Sequence, residues 1–236
     1  MNNLGQKLLK EAQKIIPGGN QLLSKRSEMF LPNQWPSYYK FSRGCVVLDL
    51  NKRKYYDFAG MGVTSCILGY ADKDINREIN KGLKNGAMST LNSPQEVELA
   101  KRLIKIHKWA EMVRFSKSGG EACLIAIRIA RAFSKKEKIA FCGYHGWHDW
   151  YMASNLSNKN NLNEQLLPGL GNKGISKSFK NSIFSFNYNN INSLKKIFNK
   201  HKNKIGIVIM EPMRFSFPNK NFLKDVKKKK KKNGAI

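Results

Sequence analysis

The chain alternates segments in which apolar residues recur every three or four positions with shorter runs of β-branched and aromatic residues. The first pattern is typical of helices with one face on a core, and the second is typical of strands. Five helices are predicted, at Leu4–Ile16, Asp74–Lys84, Pro94–Ile106, Ser118–Phe133 and Ile191–Asn199. Pro17-Gly18-Gly19 directly follows the first helix and is expected to end it.

The strand-like runs predict two different sheet arrangements. Cys45–Leu50 and Tyr55–Phe58 are joined by four polar residues, which predicts a β-hairpin. Later strands are predicted at Met112–Phe115, Lys138–Cys142, Ile183–Phe186 and Ile205–Met210. Because these later strands alternate with helices, the sequence predicts an α/β fold built on a mainly parallel sheet.

The order of these elements suggests two regions within the 236 residues. Residues 1–72 comprise the first helix, an extended ordered loop over residues 20–44 and the hairpin, and we expect them to form part of a small domain. Residues 73–236 are expected to form the first part of a larger domain, which includes a long polar loop over residues 153–182. A chain of this length is sufficient for a substantial hydrophobic core.

Composition excludes several classes of protein. A hydrophobic fraction of 41% argues against a wholly disordered chain. No run approaches the roughly 18 apolar residues of a transmembrane helix. The first residues lack the apolar core of a signal peptide, so we expect a cytoplasmic protein without membrane association. The four cysteines are scattered, which fits reduced thiols and supports neither a disulfide framework nor a zinc site.

The net charge of +27 points first to a nucleic acid or another anionic surface as the partner. However, 34 of the 43 basic residues are lysines, and they are spread along the chain among many asparagines. Lys227–Lys232 is the single low-complexity tract. We interpret most of this charge as coding drift in an AT-rich genome at surface positions. No specific nucleic-acid partner is predicted, and a basic protein that binds nucleic acid or an anionic surface stays as the alternative.

A first candidate site lies in Ser116–Ala122, where a predicted strand leads into a helix. Ser118 and Glu121 have the spacing of a capping box, in which each side chain accepts a hydrogen bond from the other residue's amide. Gly119 and Gly120 begin the helix, and the amino end of a helix favours an anion such as phosphate. The alternative is a well-capped core helix without a ligand.

Two further candidates follow predicted strands. Gly143–Trp150 places aromatic residues after a strand, where ligands bind in open α/β sheets, so a ring here can stack on a flat cofactor. His145 and His148 lack a third ligand at suitable spacing, and no metal site is predicted. Glu211 closes an apolar strand, where a carboxylate is either a site residue or a solvated loop group.

In order along the chain, several motifs together resemble the class III aminotransferases, which are fold type I pyridoxal-phosphate enzymes. The motifs are Pro17-Gly18-Gly19, the Gly44–Phe58 hairpin, Leu68–Asp72, Glu96–Ala100, Ser118–Ala122, Tyr144–Asp149, Glu211-Pro212 and Phe222-Leu223. The resemblance implies a transaminase or aminomutase that acts on a small amino-acid or amino-sugar-type substrate. It also implies a homodimer when the enzyme is full length.

The resemblance assigns roles to individual residues. Ser118, Gly119 and Gly120 would hold the phosphate of pyridoxal 5′-phosphate. Tyr144 would stack on the pyridine ring, with His145 beside it. Glu211 would border the substrate pocket, and Arg26 is a candidate for the substrate carboxylate.

The sequence also departs from the family pattern. Gly120 stands where the family often has serine or threonine, and Met213–Ser216 replaces the usual glycine and amide after Glu211-Pro212. In the family, the Schiff-base lysine and the aspartate that pairs with the pyridine nitrogen come after the position of Ile236. We therefore expect a C-terminally truncated, inactive fragment with no catalytic residue of its own. A non-catalytic degraded relative is a further alternative.

Overall fold

The computed structural model describes residues 3–158, 161–162, 171–213 and 216–236. The chain divides into two compact units, Met1–Leu103 and Ile104–Ile236, and the boundary falls inside helix α3 (Pro94–Ile106). The assignment of residues 1–72 to a small domain stays a prediction. Among the described residues, no helix has the length and apolar character needed to cross a membrane.

The first unit contains helix α1 (Leu4–Ile15), helix α2 (Lys73–Lys84) and an antiparallel sheet. The strands are β1 (Tyr39–Arg43), β2 (Val46–Asp49) and β3 (Lys54–Tyr56), in that order. The predicted hairpin is confirmed as β2 and β3. Its turn is held by buried Asp49, which accepts hydrogen bonds from the Arg53 amide at 2.8 Å and the Tyr55 hydroxyl at 3.1 Å.

The second unit is built on a parallel sheet, as its alternating pattern predicted. Its strands are β4 (Lys138–Cys142), β5 (Ile183–Ser185) and β6 (Ile205–Met210), and β4 lies between β5 and β6. The helices in chain order are α4 (Gly119–Ser134), α5 (Asp149–Met152), α6 (Ser154–Ser157), α7 (Ile191–Lys200) and α8 (Phe222–Lys232).

Side chains of β4 alternate between two apolar cores, one on each face of the sheet. Ile139 and Phe141 are fully buried on one face, together with Ile127 of α4 and residues of α5. Ala140 and Cys142 point to the other face, where they join Leu194 and Phe198 of α7 and Phe222 and Val226 of α8. A parallel sheet requires such cover on both faces, because both sides of its strands are apolar.

Several segments differ from the sequence expectations. Helix α5 was not predicted, and helix α6 lies inside the loop predicted over residues 153–182. Residues 159–160 and 163–170 of that predicted loop lie outside the described residues. The predicted strand Met112–Phe115 is wrong: no strand forms there, and Met112 is 88% exposed. Strand β1 lies in a segment predicted as loop, and its pairing with β2 makes it a strand. Helix α8 was not predicted, because its lysine tract obscures the apolar periodicity of the helix. Only Phe222 and Val226 of α8 are buried.

Candidate functional site

The first turn of α4 forms the capping box that the sequence predicted. The Glu121 amide donates to Ser118 Oγ at 3.3 Å, and Glu121 Oε2 accepts from the Ser118 amide at 3.2 Å. The same carboxylate oxygen accepts from the Lys117 amide at 2.8 Å. The Glu121 carboxylate is thus turned toward the chain that precedes the helix.

The amides of Gly119 and Gly120 lie ahead of the first intrahelical hydrogen bond, which joins the Ala122 amide to the Ser118 carbonyl. Within the described part of the chain, neither glycine amide contacts an acceptor. A Cβ placed on Gly119 would meet no described atom within 4 Å. The helix therefore begins with two amide donors and open space, an arrangement that accommodates an anion.

We expect Ser118→Ala to lower the free energy of unfolding by about 1 kcal/mol, because the Glu121 amide loses its acceptor. Ser118→Asp should retain most of the stability, since aspartate also caps helices. Urea denaturation of the three proteins checks this. Equal midpoints for Ser118→Ala and the unaltered protein would contradict the capping role.

The loop after β4 packs directly on this helix start. Gly146 has a φ of +96°, and a Cβ built on it would lie 3.0 Å from Gly120 Cα. The imidazole of His148 also approaches Gly120, where a Cβ would lie 3.0 Å from both Cδ2 and Nε2. Glycine at 120 and 146 is therefore what allows the loop and the helix to meet.

Tyr144 is half-buried in this loop, and its ring meets that of Tyr151 edge to face, with 6.0 Å between centroids. The Tyr151 hydroxyl donates to the Gly143 carbonyl at 3.0 Å. Buried His145 lies among the rings of Phe141, Trp150 and Tyr151. Its Nε2 donates to the Cys142 carbonyl at 3.0 Å, because a carbonyl oxygen only accepts.

Glu211 reaches the same loop from the end of β6. Its amide donates to the Cys142 carbonyl at 3.1 Å, and its Oε2 accepts from the Tyr144 amide at 3.0 Å. The structure thus brings together the first turn of α4, the Tyr144 loop and Glu211 at the carboxyl ends of β4 and β6. Ligands of open α/β sheets bind at this edge.

Arg26, the last of the predicted site residues, belongs to the first unit. It is half-buried, and its guanidinium packs on Gly18, where a Cβ would lie 2.6 Å from one terminal nitrogen. Gly18 has a φ of +72°, a conformation that glycine adopts readily, and its lack of a Cβ leaves space for the arginine in the turn that follows α1. Its role toward a substrate stays a prediction.

Sequence reasoning missed Tyr151, which supports the Tyr144 loop. It singled out the segment Gly143–Trp150 but not the contacts of two of its residues: Gly143 accommodates the Glu211 side chain, and His148 contacts Gly120. Gly143 and Gly146 flank Tyr144-His145 in the sequence, and that spacing could have indicated a sharply turned loop. The contacts of Tyr151 and His148 carry no local signal.

Residues 32–236 match the sequence profile of the family described as aminotransferase class III. The chain is 33% identical over 224 residues to glutamate-1-semialdehyde 2,1-aminomutase of Francisella philomiragia, covering 92% of this chain and 50% of the relative. It is 34% identical over 232 residues to the enzyme of the same name from Nitrosopumilus maritimus, covering 96% and 52%. The chain thus spans about half the length of these curated relatives.

Solved structures share the fold. An omega-transaminase from Sphaerobacter thermophilus superposes with a TM-score of 0.84 at 24% identity, covering 100% of this chain and 54% of the other. A glutamate-1-semialdehyde aminomutase from Pseudomonas aeruginosa gives a TM-score of 0.78 at 16% identity, covering 98% and 50%. The expected α/β fold of the type I enzymes is confirmed, and it is incomplete relative to these chains. On the profile match, which covers most of its length, the chain belongs to the class III aminotransferase family.

Proposed function

We propose that this chain holds pyridoxal 5′-phosphate in its second unit and provides the cofactor-binding part of an amino-group transfer enzyme. One observation carries the proposal: the donor-rich start of α4 is in direct contact with the loop that carries Tyr144. The phosphate of a cofactor could therefore bind the amides at the start of α4 while the attached flat ring contacts Tyr144. The family membership supports the same cofactor.

The described residues fit the two chemical parts of this cofactor. The phosphate would lie at the amides of Gly119 and Gly120, in the open space beside Gly119, while Ser118 caps the helix behind it. Tyr144 would cover one face of the pyridine ring, and buried His145 would support the loop from beneath. When bound, the cofactor supplies the electron sink that stabilises negative charge at the substrate carbon.

The reaction class follows from the family, and the substrate is a small amino-acid-like molecule. Among the possible reactions we favour that of glutamate-1-semialdehyde 2,1-aminomutase, because two relatives of that name are 33% and 34% identical to this chain. Arg26 would bind the substrate carboxylate, and Glu211 lies at the edge where a substrate pocket would open. We propose that turnover is a property of the whole protein, because this chain spans about half the length of its curated relatives.

A second copy of the chain is part of the same proposal. Large apolar side chains of the second unit are exposed, including Trp109 at 85% and Met112 at 88%. A second copy of the chain would remove such apolar surface from water, which favours association. We propose a homodimer for the full-length enzyme.

Binding of pyridoxamine 5′-phosphate tests the cofactor proposal. This amine form cannot condense with the 34 lysines of the chain, so it measures the shaped site alone. We expect saturable one-to-one binding in isothermal titration calorimetry, weakened by competing inorganic phosphate. Failure to bind would contradict the proposed function. A single lysine trapped stoichiometrically by borohydride with pyridoxal phosphate would contradict the expected absence of the Schiff-base lysine.

Gly119→Asp separates binding from stability. We expect it to weaken binding about tenfold, because its carboxylate repels the phosphate at close range. The same charge should stabilise the start of α4 by about 0.5 kcal/mol through the helix dipole. The control is Gly171→Asp, which adds the same charge at another exposed glycine with open space. Equal weakening by both variants would point to net charge and contradict a local phosphate site.

A further inference from the structure

Resting on the proposed function, we infer that Glu211 is a positioning residue that acts on the cofactor through Tyr144. Its carboxylate is bound to the backbone from which the Tyr144 ring projects, and that ring would cover the cofactor. Glu211 thus fixes the position and orientation of the Tyr144 ring relative to the cofactor. Three contacts and one electrostatic effect support this role of Glu211.

The first contact joins two strands through one residue. The Glu211 amide donates to the Cys142 carbonyl at 3.1 Å, which continues the pairing of β6 with β4 by one residue. The Glu211 side chain then turns back, and Oε2 accepts from the Tyr144 amide at 3.0 Å. Glu211 therefore binds the loop on both sides of Gly143.

The second contact is the close packing of this side chain on Gly143. A Cβ on Gly143 would lie 2.9 Å from Glu211 Cγ and 3.0 Å from Cδ. Gly143 has a φ of +96°, a conformation that side-chain-bearing residues rarely adopt. Glycine at 143 is therefore needed for the Glu211 carboxylate to reach the Tyr144 amide, because a Cβ would collide with the Glu211 side chain.

The third contact holds the opposite side of the loop. The Tyr151 hydroxyl donates to the Gly143 carbonyl at 3.0 Å, and the Tyr151 ring meets the Tyr144 ring edge to face. The peptide between Gly143 and Tyr144 is therefore bound at its carbonyl by Tyr151 and at its amide by Glu211. A peptide plane fixed at both ends leaves the Tyr144 ring with its side-chain rotations alone.

The negative charge of Glu211 raises the pKa of two neighbouring thiols. Burial raises the pKa of the Cys142 thiol to about 12, and the charge of Glu211 adds to that increase. Burial and the same carboxylate also raise the pKa of the Cys123 thiol. A carboxylate in this position accepts a stronger hydrogen bond than a neutral group would, which suits it to hold an amide.

The test compares four proteins: the unaltered chain, Glu211→Gln, Glu211→Ala and the control Glu111→Ala, which removes an exposed carboxylate from the same unit. Glutamine retains an oxygen that can accept from the Tyr144 amide, and alanine does not. The first readout is the affinity for pyridoxamine 5′-phosphate. The second is the hydrogen-exchange rate of the Tyr144 amide, followed by NMR without any ligand.

We expect Glu211→Ala to weaken binding about tenfold and to speed exchange at Tyr144 by at least about tenfold. Glu211→Gln should stay within about threefold of the unaltered chain in both readouts, and Glu111→Ala should match it. Glu211→Gln should nevertheless lower the pKa of the Cys142 thiol, because the carboxylate charge is gone. This separates the hydrogen bond from the charge.

The outcomes distinguish this inference from the proposed function. Unchanged binding in a folded Glu211→Ala protein, with the unaltered chain binding normally, overturns the positioning role alone. If the unaltered chain does not bind the probe, the proposed function fails, and the exchange rates still decide whether Glu211 holds Tyr144. If Glu211→Ala does not fold, a rapidly exchanging Tyr144 amide in the unaltered chain overturns the inference, and a slow one preserved in Glu211→Gln supports it.

Discussion

Gly146→Ala is expected to weaken pyridoxamine 5′-phosphate binding about a hundredfold and to lower the free energy of unfolding by about 3 kcal/mol. Gly146 has a φ of +96°, which strains any residue with a Cβ. The new Cβ would also lie 3.0 Å from Gly120 Cα, and because this atom is backbone, no side-chain rotation can relieve the contact. The loop must move away from the start of α4, where the phosphate would bind.

Calorimetric titration and urea denaturation measure the two effects, and Gly174→Ala is the matched control. Gly174 also has a positive φ, +84°, but a Cβ there would meet no described atom within 4 Å. In the control, the free energy of unfolding should fall only by the cost of a Cβ at positive φ, about 1 kcal/mol. The control should bind pyridoxamine 5′-phosphate as the unaltered chain does. If both variants bind equally well, the contact between the loop and α4 does not shape the site.

Phe141→Ala is expected to lower the free energy of unfolding by about 4 kcal/mol, the largest stability change that we predict. Phe141 lies in β4, the central strand, and none of its surface is exposed. Its ring meets Tyr151 edge to face at 5.1 Å and His145 at 6.3 Å. The cavity would therefore open beneath the Tyr144 loop and weaken cofactor binding as well.

Phe133→Ala provides the control for this substitution. Phe133 lies in α4 of the same unit and is 81% exposed, so the same change should alter stability by no more than about 0.5 kcal/mol. Urea midpoints of the two variants give the comparison. A difference below about 1 kcal/mol would mean that the β4 core is not the centre of stability that the structure indicates.

Short-range patterns in the sequence predicted most helices and strands of both units. The capping box at Ser118 and Glu121 was predicted because its partners are three residues apart, so neighbours in the chain decide it. The hairpin of β2 and β3 has an equally local cause in its polar turn. Both features were confirmed with bounds that shift by only one or two residues.

Features that depend on distant partners were missed or misassigned. Met112–Phe115 has strand-like residues but no paired strand, and β1 became a strand only through its pairing with β2. Helix α8 depends on a core that it shares with β4 and α7, far away along the chain. Residue propensities alone do not contain these partners, because strand pairing and core burial are properties of the folded chain.

The same division holds for the site. The sequence by itself determined the family, the glycine-rich helix start, the aromatic loop after β4 and the carboxylate at the end of β6. Only the tertiary structure decided that Glu211 holds the Tyr144 amide across 67 residues, and that His148 and Gly146 pack against Gly120. The physical reason is range: caps and turns are fixed by residues a few positions apart, whereas a site at a sheet edge is assembled by strand order and packing.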